Sequence, residues 1–367
     1  MKPNYGLLLL FTLLYSLTVE SQAIAGYKWQ DPSESITRFD GQGWENMGYS
    51  RLPDTAENVV RDAVWSLSRQ AAGISLRFET NADSIAITYQ VVGNLAMPHM
   101  PATGVSGIDL YVKNENDWLW CHGKYQYNDT IRYDFKVDRL SKGMRRYELF
   151  FPLYNTIKNL RIGVNSESSL KFTQARTQKP IVVYGTSIAQ GACASRPGMG
   201  WTNILARKLD YPVINLGFSG NGRLEPEVID FVNEIDASVF ILDCLPNLPP
   251  SRGYDQDEIH KRIRNSIESL RKKHAETPIL LVHHAGYSDG LVDLERSRVY
   301  ESLNRWTTEI FENLKNEGAE NLFLLTIDEI ALSNDATVDG THPNDLGMQQ
   351  YADAYENVVK ALILKAK

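Results

Sequence analysis

The chain has 367 residues, of which 43% are hydrophobic and 23% charged, and its formal net charge is −7 at pH 7. This length predicts two domains or three, and the composition excludes a disordered or collagen-like chain. A mildly acidic chain without a basic run lacks the electrostatic footprint of a nucleic-acid-binding protein, so we expect no nucleic acid among its partners. Three cysteines cannot form a disulfide scaffold at this length, which leaves apolar burial to hold the core.

Residues 1–25 are typical of a secretory signal peptide. Lys2 supplies a weak positive charge, residues 7–19 are almost wholly apolar, and the Ala-Ile-Ala triplet at 23–25 offers small residues for cleavage. The apolar stretch is too short to span a bilayer, and an uncleaved membrane anchor is the alternative. We therefore expect a secreted or periplasmic protein without stable membrane insertion after cleavage.

Residues 26–177 have the pattern of an N-terminal all-β domain. Apolar and polar residues alternate at 74–78 and 84–89, and turn-forming residues separate the runs. Such a pattern predicts a β-sandwich or jelly roll. Further candidate strands lie at 107–112, 131–137, 146–151 and 160–164.

Five of the seven tryptophans fall in this part of the chain. Core and edge packing is their usual role, and a sugar-stacking platform is the alternative. The polar stretch 166–179, before Pro180, is the predicted linker. The five tryptophans are Trp29, Trp44, Trp65, Trp118 and Trp120.

Residues 178–367 have the pattern of a second, α/β domain. Compact apolar runs suit strands buried on both faces, and amphipathic helical patterns alternate with them. Five repeats of this alternation predict a doubly wound, five-stranded parallel sheet in a three-layer sandwich. The predicted strands are 181–184, 213–216, 239–242, 279–282 and 322–325, and the helices are 201–209, 226–234, 257–274, 297–316 and 346–364.

Reactive residue types follow the strands at the carboxyl edge of this sheet, where open parallel sheets bind ligands. Ser187 follows the first strand, Gly220 the second and Asn247 the third, and Asp339 and His342 precede the last helix. A serine becomes nucleophilic when a histidine takes its proton and an aspartate orients that histidine. The Ser187 and Gly220 N–H groups and the Asn247 side chain are candidate donors to an oxyanion.

Residues from about 180 to the C-terminus resemble the SGNH hydrolases, also called GDSL-type esterases and lipases. Ser187 matches the block I serine, Gly220 the block II glycine and Asn247 the block III asparagine. His342 matches the block V histidine, and Asp339 is its partner. The resemblance implies a serine esterase that needs no metal or cofactor.

The chain departs from the family pattern twice. Thr186 stands where the family usually has Asp, and residues 243–247 read Asp-Cys-Leu-Pro-Asn instead of Gly-x-Asn-Asp. Both departures favour a divergent subgroup. The N-terminal half resembles the β-sandwich module that precedes the SGNH domain in some exported bacterial carbohydrate esterases. The resemblance therefore implies an acylated carbohydrate, or another small ester, as substrate, with O-acetyl sugars or polysaccharides favoured.

Two alternatives remain open. A lipase or phospholipase would need an apolar trough or lid, and the sequence has no long apolar loop beside the blocks. A glycan-binding protein with a vestigial esterase domain would not need the full set of reactive residues. Arg196 and Arg223 fall on the same rim, where they either contact substrate or are solvated charges.

The remaining cysteines and histidines give weaker signals. Cys193 and Cys244 lie near Ser187 and Asn247 in the chain, and they are either a disulfide or two packed thiols. His283 and His284 are adjacent, and neighbouring side chains on a strand point to opposite faces. They therefore do not predict a metal site.

Overall fold

A computed structural model describes residues 26–365, so the predicted signal peptide lies outside the described residues. The N-terminal half forms two antiparallel five-stranded sheets, with orders β1-β9-β3-β7-β6 and β10-β2-β8-β4-β5. The strands are β1 Tyr27–Gln30, β2 Ser75–Thr80, β3 Ser84–Val91, β4 Asp109–Asn114, β5 Asp117–Cys121, β6 Gly123–Gln126, β7 Ile131–Lys136, β8 Arg145–Phe150, β9 Ile157–Asn165 and β10 Leu170–Thr173.

The core of this half lies between the two sheets. Alternating side chains of both sheets are buried together, among them Phe78 and Leu149 from one sheet and Ile87 and Ile162 from the other. The period-two pattern predicted this burial, because alternate residues of a strand share one face. The predicted β-sandwich is confirmed.

The predicted linker 166–179 is wrong in one part, because residues Leu170–Thr173 form the edge strand β10 and pair antiparallel with β2. Farther along the same segment, Arg176 is nearly buried and lies 3.3 Å from Asp40 and 3.5 Å from Glu148. Strands β5 and β6 were also not predicted. Their exposed residues lack a simple alternation of apolar and polar side chains.

The C-terminal half is built on one parallel sheet with the order β12-β11-β13-β14-β15. All five predicted strands are present, with shifts of at most one residue at their ends. The strands are β11 Ile181–Gly185, β12 Val213–Gly217, β13 Val239–Asp243, β14 Ile279–Val282 and β15 Leu322–Leu325.

Helices cover both faces of the parallel sheet. Val182 and Tyr184 of β11 face one apolar cluster, and Ile181 and Val183 face the other. This is the predicted doubly wound α/β sandwich, in which each strand is buried on both sides. The helices of the whole described chain are α1 Asp62–Ser68, α2 Ala102–Val105, α3 Ser187–Gln190, α4 Trp201–Leu209, α5 Pro226–Asn233, α6 Gln256–Lys273, α7 Leu294–Asn316, α8 Ile327–Ile330 and α9 Asp345–Lys365. Short 3₁₀ turns occupy Pro32–Glu34, Asp54–Ala56, Pro197–Met199, Leu245–Asn247 and Pro250–Arg252.

A segment of the N-terminal half packs into the core of the α/β half. Leu52, Ala56, Val60 and Val64 are buried in the same apolar cluster as one face of the parallel sheet. The periodicity of the sequence did not predict that this segment packs against the parallel sheet, because its one α-helix, α1, is too short to show a clear amphipathic pattern. The domain boundary at 177 and 178 stays a prediction, and the two halves share a core across it.

The tryptophans of the N-terminal half differ in how far they are buried. Trp44 and Trp65 are half-buried and pack against the shared core, which agrees with a packing role. Trp120 on β5 is different, because 46% of its surface is exposed. Within residues 26–365, the helices are all too short or too polar to cross a membrane.

Candidate active site

Ser187 lies where the central strand β11 meets a one-turn helix. Thr186 caps this helix, and its Oγ1 accepts a hydrogen bond from the Ile188 N–H at 3.3 Å. Gly191, with a φ of 104°, ends the helix after four residues. Ser187 is therefore the first helical residue, where a backbone N–H has no partner within the helix. The unusual Thr186 thus provides the cap that fixes Ser187 at the sheet edge.

Ser187, His342 and Asp339 form a continuous chain of hydrogen bonds. Ser187 Oγ lies 2.8 Å from His342 Nε2, and His342 Nδ1 lies 2.7 Å from Asp339 Oδ2. The second carboxylate oxygen, Oδ1, accepts the backbone N–H groups of His342 at 2.8 Å and Thr341 at 3.1 Å. One carboxylate thus orients both the imidazole and the turn that carries it.

The environment of Asp339 keeps its carboxylate ionised. Partial burial raises the pKa of Asp339, but the hydrogen bonds from the His342 ring and from the backbone N–H groups outweigh burial. The net effect holds its pKa below the usual value. A carboxylate that stays charged can stabilise an imidazolium formed when the histidine takes the serine proton.

The turn that carries Asp339 and His342 is braced by Arg296 at the start of α7. Arg296 Nη2 donates to the Gly340 carbonyl oxygen at 3.2 Å and to Thr341 Oγ1 at 3.0 Å. Its Nε lies 3.0 Å from Asp289, and its guanidinium covers the Tyr287 ring at 3.6 Å. This support could not be predicted from the sequence, because the loop before α7 carries no recognisable motif.

Three candidate oxyanion donors lie at the nucleophile: the N–H groups of Ser187 and Gly220, and Nδ2 of Asn247. Asn247 Oδ1 accepts the Gly222 N–H at 3.1 Å, so its Nδ2 donors are left for the cavity that Asn247 lines with Ser187. Gly220 adopts a φ of +70°, a conformation that favours glycine. Within the described chain, neither the Gly220 nor the Ser187 N–H has a hydrogen-bond acceptor. Gly222 must also be glycine, since a Cβ there would lie 2.0 Å from the Gly185 carbonyl oxygen.

Arg196 and Arg223, which the sequence left as either substrate contacts or solvated charges, do not line the cavity around Ser187. Arg223 folds back on its own loop and donates to the Gly220 carbonyl oxygen at 2.9 Å and 3.1 Å. Arg196 points to the β-sandwich, where it lies 2.8 Å from both Asp109 and Tyr111 Oη. Both guanidiniums therefore brace backbone or domain contacts.

The cavity around Ser187 has a volume of about 650 Å³ and contains cationic and aromatic groups that the sequence analysis missed. Arg252 Nη1 is 3.5 Å from the Gly220 carbonyl oxygen. The His99 ring, from the N-terminal half, stacks beside the His342 ring at 6.1 Å. The lining residues are Ser187, Ser219, Gly220, Pro246, Asn247, Pro249, Ser251, Arg252, Tyr287, Asp293, Glu295, Arg296, Val299, Thr341 and His342.

An exposed apolar segment lies next to this cavity. Leu291, Val292 and Leu294 are 78%, 89% and 63% exposed, and the neighbouring Asp293 and Glu295 line the cavity. The sequence analysis saw no long apolar loop here, and the segment is indeed short. Its three side chains are exposed but do not line this cavity, and Leu291 lines a neighbouring one.

The cysteines are buried thiols and form no disulfide. Cys244 Sγ lies 3.5 Å from the Tyr184 carbonyl oxygen. Cys193 Sγ lies within 4.8 Å of ligand atoms of Asp339 and His342, the one such three-residue group found among residues 26–365. Burial, with a smaller effect of Asp339, raises the pKa of Cys193 to about 12, so the thiol stays protonated.

The adjacent histidines are structural neighbours of α7. His283 Nε2 lies 3.1 Å from Thr308 Oγ1, and His284 Nδ1 accepts the Gly286 N–H at 3.0 Å. Burial lowers the pKa of both rings, that of His284 to about 3. The two rings therefore contact different parts of the protein.

Two family models match the chain in agreement with this architecture. Residues 178–360 match the GDSL-like lipase/acylhydrolase family. Residues 27–170 match the N-terminus of SGNH-hydrolase-type esterases, a family named for a GxDLY motif. In this chain the motif is residues 107–111, and its Asp109 and Tyr111 are the two partners of Arg196. This motif is the feature of the sequence from which the contact between the two halves could have been predicted.

Solved structures agree along nearly the whole chain. A Bacteroides ovatus protein described as a GDSL-like lipase is 30% identical, over 92% of this chain and 98% of that chain, with a TM-score of 0.84. Salicylyl-acyltransferase SsfX3, from a tetracycline biosynthetic pathway, is 19% identical over 92% and 97%, with a TM-score of 0.72. The acetyl xylan esterase Est2A of Butyrivibrio proteoclasticus is 10% identical over 92% and 98%, with a TM-score of 0.54, and shares the fold.

A search of curated proteins found no match. The chain belongs to the GDSL-like lipase/acylhydrolase family, as its sequence motifs predicted, and it is an SGNH-type ester hydrolase.

Proposed function

We propose that this protein is a serine esterase that removes O-acetyl groups from sugars or polysaccharides through an acyl-enzyme. Ser187 is the nucleophile, His342 the base and Asp339 the residue that orients the base. The observation that carries the proposal is the hydrogen-bond chain from Ser187 Oγ to His342, 2.8 Å, and from His342 to Asp339, 2.7 Å. It lies on the wall of a cavity with room for a substrate.

The reaction follows from these contacts. His342 Nε2 takes the Ser187 proton as Oγ attacks the ester carbonyl carbon. The Ser187 and Gly220 N–H groups and Asn247 Nδ2 donate to the oxyanion that forms. His342 then gives its proton to the leaving sugar oxygen, and the acyl group stays on Ser187. His342 then takes a proton from a water molecule that attacks the acyl carbonyl carbon, and it returns this proton to Ser187 Oγ as the bond from Oγ to the acyl group breaks and acetate leaves.

Three observations support a carbohydrate ester as substrate. Most residues around the cavity are polar or charged, which suits a hydroxylated substrate better than an alkyl chain. The β-sandwich is joined to the catalytic half by buried contacts, such as Asp109 with Arg196. A structural neighbour with the same two-part fold is an acetyl xylan esterase.

The test is hydrolysis of 4-nitrophenyl acetate, followed by acetate release from a panel of acetylated plant and host glycans. The Ser187→Ala variant should keep its fold, measured by circular dichroism, and lose turnover of the chromogenic ester. Ser219→Ala is the matched control, because Ser219 lines the same cavity without contacting His342. Wild-type turnover in Ser187→Ala would remove Ser187 as nucleophile, and esterase activity without acetate release from any glycan would remove the carbohydrate assignment.

A second candidate is hydrolysis of longer acyl chains, favoured by the exposed Leu291, Val292 and Leu294, which adjoin the cavity residues Asp293 and Glu295 in the chain. Comparison of 4-nitrophenyl acetate with 4-nitrophenyl octanoate distinguishes the two. For an acetylesterase the acetyl ester should have the higher kcat/KM, and serine substitution at Leu291 and Val292 should leave that value unchanged. A preference for octanoate that those substitutions abolish would identify a lipase-type acyl hydrolase. Glycan binding with no ester turnover would instead identify a vestigial enzyme.

We also propose secretion or periplasmic location, with residues 1–25 as a cleaved signal peptide and domains at 26–177 and 178–367. The supporting features are the apolar stretch 7–19 and the small residues at 23–25. N-terminal sequencing of the exported protein should begin at Gly26. Recovery of the full chain from the membrane fraction would identify an anchor.

A further inference from the structure

Trp120 is an exposed aromatic residue that is nevertheless held in one orientation. Its Nε1–H donates to Asp109 Oδ1 at 2.9 Å, and Asp109 is buried. The Arg196 guanidinium lies 4.5 Å from the Trp120 ring centroid and supports it. The indole is still 46% exposed. A side chain already fixed in this way loses little further conformational entropy when a ligand packs on it.

Two cavities meet at Trp120, near the edge strands β5 and β6 of the sandwich. Their volumes are about 550 Å³ and 250 Å³. Both are lined by Trp120, Cys121, His122 and Phe135, so the cavities adjoin each other and we take them together as one groove. We call it the Trp120 groove, defined by those four residues with Lys124, Asp134, Lys136, Asp138 and Arg139 from the larger cavity and Tyr125 and Tyr133 from the smaller one.

The groove carries an excess of positive charge. The three carboxylates that line the two cavities are already paired: Asp134 with Arg132 at 2.7 Å, Asp138 with Lys136 at 2.7 Å, and Asp109 with Arg196 at 2.8 Å. Lys124 and Arg139 are exposed, and neither side chain forms a hydrogen bond or ion pair with another residue of the described range 26–365. Two cations without a counterion in the groove are complementary to a ligand with negative groups.

We propose that the Trp120 groove binds an acidic oligosaccharide, with one sugar ring stacked on Trp120 and sugar carboxylates paired with Lys124 and Arg139. A pyranose has an apolar C–H face that suits the indole surface, and its hydroxyls can bond to His122 at the rim. A carboxylate on the next ring accepts hydrogen bonds from the ammonium or the guanidinium. The proposal rests on the proposed function in one respect, that the natural substrate is a carbohydrate polymer.

The Trp120 groove is separate from the candidate active site. No residue lines both the groove and the cavity around Ser187. A polymer bound in the groove would therefore raise the local concentration of acyl groups without taking part in the reaction. Loss of groove binding should then leave turnover of a small soluble ester unchanged.

The experiment is isothermal titration calorimetry of the full mature chain with the tetramers of galacturonate and of mannuronate. At least one should bind with a saturable isotherm, and cellotetraose, which is neutral, should bind at least about tenfold more weakly. Trp120→Leu should weaken acidic-sugar binding about tenfold, corresponding to the loss of one stacked ring. The double variant Lys124→Ala with Arg139→Ala should weaken it at least as much.

The controls separate sugar binding from charge and from catalysis. Lys158→Ala with Arg161→Ala removes two exposed cations from strand β9 of the sandwich and should not alter binding. Ser187→Ala should bind like the wild type, and all groove variants should keep wild-type turnover of 4-nitrophenyl acetate. The double variant also tests the groove if Trp120→Leu fails to fold.

Three results would overturn the proposal. The first is no saturable binding of either acidic tetramer. The second is binding that both groove variants leave unchanged. The third is equal affinity for one of two comparison ligands. Equal affinity for a glutamate tetrapeptide would show that the site recognises charge alone, and equal affinity for cellotetraose would show that the cations have no role. None of these results would alter the esterase assignment, which depends on ester turnover.

Discussion

Arg51 Nη1 lies 2.5 Å from the carbonyl oxygen of Gly217, the last residue of strand β12. Arg51 is fully buried and also donates to the carbonyl oxygens of Leu67 and Gln70 in its own segment. Burial lowers the pKa of Arg51 to about 9, so the guanidinium is still charged at neutral pH. A residue of the N-terminal half thus holds the strand from which the Gly220 loop starts.

Replacement of Arg51 by methionine should therefore weaken both the fold and the site. Four carbonyl oxygens would lose a charged donor, and we expect the free energy of unfolding to fall by about 2–4 kcal/mol. The looser Gly220 loop should lower kcat more than it raises KM. Urea unfolding and steady-state kinetics measure the two effects. Arg38→Met, which removes one donor to the Arg176 carbonyl oxygen, is the control and should retain kcat.

Asn247→Ala should lower kcat by roughly 10²–10³ with little change in KM, because an oxyanion donor acts mainly in the transition state. The measurement is initial rate against concentration of 4-nitrophenyl acetate. Asn334→Ala, at an exposed position in a neighbouring cavity, is the control and should behave as the wild type. An unchanged kcat in Asn247→Ala would exclude Asn247 from the oxyanion site.

Arg296→Lys should disturb the turn that carries Asp339 and His342. Lysine can still pair with Asp289, but one ammonium cannot also reach the Gly340 carbonyl oxygen and Thr341 Oγ1 in the same geometry. We expect kcat to fall about tenfold, with a changed pH profile and an intact fold. Arg298→Lys, two residues along the same helix and exposed, should have no effect. Equal kcat and pH profile in both variants would show that Arg296 does not position His342.

Asp243 should make the protein less stable as the pH rises. Burial raises its pKa to about 6, and the Tyr355 hydroxyl, at 2.9 Å, offsets only part of that effect. The unfolded carboxyl titrates near 4, so the native state binds a proton more tightly and loses stability as pH rises from about 4 to 6. Asp243→Asn should therefore gain about 2–3 kcal/mol at pH 7.5 and much less at pH 4.

Urea unfolding at the two pH values measures this difference. Asp230→Asn, on the exposed face of α5, is the control and should shift neither value. A gain of the same size at pH 4 and pH 7.5 would mean that titration of Asp243 is not its cause.

His284 should have the opposite effect to Asp243 and make the protein less stable as the pH falls. Its ring is buried and its pKa falls to about 3, chiefly through burial and further through the Arg296 charge. The unfolded ring takes up a proton below about pH 6.5, so native stability falls by about 1.4 kcal/mol per pH unit as the pH drops further toward 3. His284→Asn keeps an acceptor for the Gly286 N–H and should flatten that slope. His260→Asn, with a less buried ring, is the control, and a slope unchanged by His284→Asn would contradict the assignment.

The parallel sheet and the positions around Ser187 could be predicted because each is encoded locally. An apolar run such as 239–242 specifies a doubly buried strand, and the polar residues after it then fall at the sheet edge. Thr186 shows the limit of motif matching, since its capping role depends on the helix that it starts. Local patterns were enough for the strands, whereas the meeting of Ser187 with His342, 155 residues apart, was expected from the shared sheet edge and from the resemblance to the SGNH blocks.

Contacts between distant segments could not be predicted in the same way. The positions of Arg196 and Arg223 in the chain left open whether they contact substrate or are solvated charges, because a long side chain can turn to whichever acceptor lies nearby. For Arg196 that acceptor is Asp109, 87 residues earlier, and for Arg223 it is a carbonyl oxygen three residues away. Strand β10 was missed because polar residues surround its four positions, and pairing with β2 decides its conformation.

The packing of residues 52–64 into the apolar cluster of the parallel sheet has a consequence for the use of the α/β half alone. A fragment that begins at residue 178 would lack Leu52, Ala56, Val60 and Val64, and the apolar surface that they leave exposed would promote precipitation. Truncation at this junction should therefore yield a less soluble protein than the full chain, although the cut falls between two recognisable sheets.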